Sequence, residues 1–142
     1  MEDILLLEES SIKTKKSIFK SSYKVLVVDD NPAFIKAFET LIKNVLPDNL
    51  ECLDVAHNGR DAIEIVANFP FYDYIFIDID IPVIDGITAA RLIDRDYYRS
   101  STIIGLSFHN EENLVREMIM AGAKYFINKA NLSFNELAKV FK

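Results

Sequence analysis

The stretch YIFIDIDIP, Tyr74 to Pro82, drives an unbroken apolar run into two aspartates and stops at a proline. A continuous run of large side chains, with no polar residue alternating in it, is the pattern of a strand covered on both faces. Such strands sit inside parallel sheets with helices packed above and below. The carboxylates of Asp78 and Asp80 then stand at the point where the strand leaves the core.

The rest of the chain supplies matching pieces. Upstream, YKVLVVD (Tyr23 to Asp29) is a second continuous apolar run. NPAFIKAFETLIKNVL follows, with Asn31 placed to cap, Pro32 at the first helical position, and Phe34, Phe38, Leu41, Ile42 and Val45 on one face. ECLDVAH reads as a strand holding Cys52 as a packed thiol, and GRDAIEIVANF as a helix with Ala62, Ile63 and Val66 inward. Downstream, DGITAARLIDRD is a helix and STIIGLS a strand. NEENLVREMIMAGA is a helix with Leu114, Val115, Met118 and Ile119 inward and Gly122 at its C-cap. KYFIN is the last strand, and SFNELAKVF a helix whose Ser133 and Glu136 have capping-box spacing. Tyr97 and Tyr98 read as partly packed aromatics at a helix end, and His109 as an exposed loop residue.

Five strands alternating with five helices argue for an α/β fold, a doubly wound parallel sheet with right-handed crossovers. Ligands of such sheets bind at the carboxyl ends of the strands. There the chain places Asp29 and Asp30, Asp78, Ser107 and Lys129, from four separate strands. Close carboxylates repel in a low-dielectric pocket, and a hard divalent cation relieves them. Mg²⁺ suits one or two carboxylates, waters and a phosphate, with the backbone carbonyl of Asp80 as a further oxygen. A carboxylate can attack phosphorus to give an aspartyl phosphate, while a metal and a lysine neutralise the transferring oxygens. Asp78 is the candidate nucleophile, Asp29 and Asp30 candidate metal ligands, and Ser107 a hydroxyl for the new phosphoryl oxygen. Taken singly, each has a plainer reading. Asp85, in an Asp-Gly pair, reads as a turn or cap; Asp30 reads equally as a cap or a ligand; Lys129 alone reads as a solvated lysine.

The totals agree with this. The 142 residues are half hydrophobic and 27% charged, with a formal net charge of −6. That suits one globular domain and disfavours direct contact with nucleic acid. Cys52 is the only cysteine, which excludes an internal disulfide and fits a cytoplasmic place. No run reaches the ~20 apolar residues of a membrane span. Residues 1–22, rich in Ser and Lys, read as a flexible N-terminal extension with one helical turn near Ile4–Leu7; residues 23–142 read as the folded domain.

VLVVDDNPAF, DYIFIDIDIPVIDG, IIGLS and GAKYFINK, in that order and spacing, resemble the receiver domain of two-component response regulators. The pattern D-x-x-x-P-x-x-D-G (Asp78, Pro82, Asp85, Gly86) is its most specific part. The resemblance implies a flavodoxin-like sheet of order 2-1-3-4-5. It implies Asp78 as phosphoacceptor, Asp29 and Asp30 as the acidic pair that binds Mg²⁺, and Lys129 as the lysine that contacts the phosphoryl group. Ser107 and Phe126 are implied as switch residues. The implied donor is a histidine kinase or histidine phosphotransfer protein. The implied activity is signalling rather than enzymatic turnover. LSFHNEENLVREMIMAGAKYFINKA is similar to the NarL/LuxR subgroup, whose members usually carry a helix-turn-helix after the receiver; none is recognisable here. Phosphorylation would then pull Ser107 inward, let Phe126 follow, and remodel the face of the fourth helix, fifth strand and fifth helix, a surface for a partner or a homodimer. Phe108, after Ser107, is bulkier than the residue usual there and is expected to narrow access to Asp78.

Two other readings compete. IFIDIDIPV is also similar to the nucleophile motif of haloacid-dehalogenase phosphatases, but there the motif opens the domain, whereas here an acidic pair precedes it. A degenerate receiver that binds a partner without phosphorylation is the second.

Overall fold

The computed structural model describes residues 22–69, 71–97, 101–109 and 111–141. The expectations for residues 1–21 and for Tyr98 lie outside these; of Tyr97 only its backbone place in a helix is described. Five parallel strands form one sheet in the order β2-β1-β3-β4-β5. They are β1 (Tyr23–Val28), β2 (Leu50–Ala56), β3 (Tyr74–Asp78), β4 (Thr102–Ser107) and β5 (Ala123–Asn128). The connecting helices are α1 (Pro32–Val45), α2 (Gly59–Asn68), α3 (Gly86–Tyr97), α4 (Glu112–Met120) and α5 (Phe134–Ala138). Short 3₁₀ turns cover Lys129–Asn131 and Lys139–Phe141.

The helices begin where side chains can satisfy their first free N–H groups. Asn31 accepts from the N–H groups of Ala33 and Phe34, with Pro32 at N1. Asn58 caps α2 through Asp61 N, Asp85 caps α3 through Thr88 N, and Ser133 accepts from Glu136 N. Asp85 is thus the cap its Asp-Gly setting suggested, and at α1 the cap is Asn31 rather than Asp30. Gly122 follows the end of α4 with φ 123°, a conformation open to glycine.

Strand period divides the core into two layers. Leu26, Val28, Ile75, Ile77 and Ile103 turn to one face, where they pack with Ala62, Val66, Ile93 and Met118. Val25, Val27, Phe76, Ile104 and Leu106 turn to the other, against Phe38, Ile42, Ile127 and Leu137. Both faces of β1 and β3 are therefore dry, which explains their unbroken apolar sequence. In α4 the inward face is narrower than expected: Met118 is buried and Leu114 and Val115 partly so, but Ile119 is 42% exposed. Ile119 is one residue, about 100° of helical turn, beyond Met118, and so leaves the buried stripe. Cys52 is half-buried rather than enclosed.

Candidate functional site

The same period that sorts the core assembles the site. Asp29, Asp78 and Lys129 each follow by two residues a side chain of one core layer, Val27, Phe76 and Ile127. All three therefore emerge on one face of the sheet, at its carboxyl edge. Asp29 and Asp78 are buried, and the Lys129 side chain is only 4% exposed between them. Its Nζ lies 2.5 Å from Asp29 Oδ2 and 3.0 Å from Asp78 Oδ2. Lys129 is thus an enclosed ammonium, not the solvated lysine of the plainer reading. Ser107, at the end of β4, is buried and accepts from the His109 N–H at 2.9 Å.

The free oxygens are held as well. Asp29 Oδ1 accepts from Asn31 N at 2.9 Å, and Asp78 Oδ1 from Asp80 N at 3.1 Å. Burial pushes the Asp78 carboxyl above its ordinary value, while Lys129, by hydrogen bond and charge, draws it back. Asp30 is exposed, yet Asp29, Asp30 and Asp78 each offer an oxygen within 4.8 Å of the others. Three carboxylates facing one ammonium leave a local excess of negative charge. Closely grouped oxygen donors with such an excess are the donor set of a hard divalent cation, so these residues fit Mg²⁺.

Two glycines bring the loops this close. A Cβ on Gly86 would lie 2.0 Å from the Asp78 carbonyl oxygen, so α3 can start against the end of β3 only with glycine there. A Cβ on Gly59 would lie 1.9 Å from the Ile84 carbonyl oxygen. Between them, Ile84 N donates to Pro82 O at 2.8 Å across Val83, whose φ is 70°. A β-branched residue in that region stores strain of order 1–3 kcal/mol.

Two contacts were not legible in the sequence. Phe34, expected only as a core-facing helix residue, presents its ring 4.1 Å from Lys129 Nζ. His109, expected as a bare loop residue, places Nε2 2.9 Å from Asp80 Oδ2 and Nδ1 3.4 Å from Glu111 Oε1, tying the loop after β4 to that after β3. Phe108 is 66% exposed, with its ring centre 5.5 Å from Lys129 Nζ, so it flanks the mouth rather than filling it. Phe126, on the opposite face of the sheet, packs partly buried near Gly105 and Met118.

Residues 25–142 match the family model for the response regulator receiver domain. The chain belongs to that family. This receiver domain is 32% identical over 111 residues to the signal transduction histidine-protein kinase BarA of Shigella flexneri, covering 78% of the chain and 12% of the kinase. It is 35% identical over 116 residues to a protein-glutamate methylesterase/protein-glutamine glutaminase of Vibrio parahaemolyticus, covering 82% of the chain and 30% of that protein. The chain thus spans under a third of either relative. Its fold is similar to the receiver domain of sensor histidine kinase PA1611 from Pseudomonas aeruginosa, which was solved with a magnesium ion coordinated in its active-site cleft. That match has a TM-score of 0.72 and 23% identity, and covers 84% of this chain and 93% of that one. The sheet order and the receiver resemblance both hold. Among the described residues, no helix is long and apolar enough to cross a membrane.

Proposed function

We propose that this receiver domain accepts a phosphoryl group on Asp78 and acts as a phosphorylation switch. The observation that carries the reading is Asp78 itself: a buried carboxylate, raised by burial, held between an enclosed lysine and an acidic pair. A carboxylate oxygen of Asp78 attacks the phosphorus of a phosphohistidine on a histidine kinase or phosphotransfer partner. The P–N bond breaks and an acyl phosphate forms. Asp29, Asp30, Asp78 and the Asp80 carbonyl would hold Mg²⁺, which supplies charge neutralisation at the phosphoryl oxygens. Lys129 stays on the phosphoryl group and limits the charge left on the protein.

Ser107 then donates its hydroxyl to a phosphoryl oxygen, giving up its present bond to the His109 N–H. Phe126 follows into the space that Ser107 vacates, biasing the face of α4, β5 and α5 between two states. Ile119, Met120, Tyr125 and Phe134 are already exposed there, which supports a partner or a second copy as what that face meets. The reading makes the domain a signalling element rather than an enzyme with turnover, acting in the cytoplasm and without direct contact to nucleic acid.

The test is intact mass after incubation with acetyl phosphate and Mg²⁺. Gain of one phosphoryl group, absent without Mg²⁺ and absent in Asp78→Asn, supports the reading. No gain, even from a phosphorylated histidine kinase, would leave a module that binds partners without phosphorylation.

A further inference from the structure

The end of the sheet opposite the carboxylates carries a groove that the switch does not use. Among the described residues, β2 is an edge strand, paired with β1 alone. On its α2 side, Ala56 is buried beneath α2, but the helix ends at Asn68 and leaves Cys52 and Asp54 beyond its cover. Phe69 and Phe71 stand beside them, 64% and 65% exposed. With Lys24 and Tyr72 these residues line a cavity of about 190 Å³. The groove carries Asp54 and Lys24 on a largely apolar floor, and the surface adjoining it is acidic. Asp54 accepts from the Tyr72 hydroxyl at 2.5 Å, and Asp61 and Glu64 line the adjoining surface with Ile65 and Phe69. Burial and then Asp54 push the Cys52 thiol up.

We propose that residues 13–20 of the same chain, KTKKSIFK, dock in this groove, with Ile18 and Phe19 against Phe69 and Phe71 and the lysines facing the acids. Charge argues for this occupant. Lys13, Lys15, Lys16 and Lys20 flank the apolar pair, and the groove and the surface adjoining it offer Asp54, Asp61 and Glu64.

The point of attachment argues for it too. Ser22 Oγ donates to Glu51 Oε1 at 2.9 Å, so the segment joins the domain beside the start of β2. Lys24, two residues further on, already lines the groove. Phe19 lies three residues before Ser22, a reach of about 10 Å in extended chain and about two strand spacings. A segment so tethered has an effective concentration of order millimolar, and a weak apolar contact then suffices.

Cys52, the only thiol, reports on the groove directly. The rate of maleimide labelling at Cys52 is compared between the whole chain and an Ile18→Asp, Phe19→Asp variant, with circular dichroism confirming the fold of both. Docking predicts labelling about five-fold or more faster in the variant, and faster labelling of the parent chain in high salt. A Phe19→Cys chain treated with diamide should form a disulfide to Cys52 within one chain, seen at monomer mass. Equal labelling rates in parent and variant would overturn the proposal. So would a disulfide found only between chains, which would make a second copy the occupant.

Discussion

Lys129 Nζ lies 2.5 Å from Asp29 Oδ2, a residue 100 positions away in the chain, and both side chains are buried. The same ammonium reaches Asp78. A cation shared by two enclosed carboxylates is worth most as the partner that prevents them from being left unpaired.

Lys129→Ala should therefore cost about 3 kcal/mol of stability at neutral pH without divalent cations. Mg²⁺ should restore part of that loss and bind the variant more tightly than the parent, because metal and ammonium draw on the same carboxylates. Urea denaturation with and without Mg²⁺ measures both effects. A loss under about 1 kcal/mol would mean that the carboxylates stay hydrated or take up protons instead.

Asp78 links stability to pH in the direction opposite to a salt-bridged surface aspartate. Its folded value is raised above that of an ordinary aspartate, chiefly by burial, so the native state holds the proton more tightly than the unfolded chain. The stabilising contribution is full below the unfolded value and is lost as pH rises through the folded one. Asp78→Asn removes this dependence. The variant should gain on the parent as pH climbs out of the carboxylate range, reaching on the order of 1 kcal/mol at neutrality without Mg²⁺. Parallel stability curves across pH would contradict the raised value.

Gly105 makes the room that Phe126 and Met118 occupy. An added Cβ would stand 2.6 Å from Met118 Cγ and 2.9 Å from Phe126 Cδ1. Gly105→Ala should lower stability by about 1–3 kcal/mol through overpacking. It should also diminish any phosphorylation-dependent change at Phe126, read by ring NMR signals. An unchanged melting temperature would show that the Met118 side chain yields without cost.

Phe108→Ala tests whether the ring obstructs Asp78. Its exposure predicts a stability change within about 0.5 kcal/mol. Phosphorylation by acetyl phosphate should change by less than about three-fold, under 1 kcal/mol in barrier. A large acceleration would restore the obstructing role that the bulk of the residue suggested.

Much of this was legible because local rules govern it. The unbroken runs at Val25–Val28 and Ile75–Ile77 can be stable only with both faces covered. Asn31, Asp85 and Ser133 announced helix starts through their own short-range hydrogen bonds. The misplacement of Ile119 has a local origin as well: a stripe of Leu114, Val115, Met118 and Ile119 is wider than the surface that α4 buries, and how wide that surface is depends on the neighbour rather than on the helix.

By itself, then, the sequence determined the alternation of elements, the strand ends that carry carboxylate, hydroxyl and ammonium, and membership of the receiver family. Period and capping act within a few residues, so they can be read along a chain. Only the tertiary structure decided that Lys129 is enclosed, that Phe34 faces it, that His109 bridges to Asp80, and that Phe108 flanks the mouth of the site. Those outcomes depend on how closely loops from different strands approach. That approach is set by packing across the sheet and by the absent side chains of Gly59 and Gly86, whose neighbours lie far along the chain or are reached only through a turn.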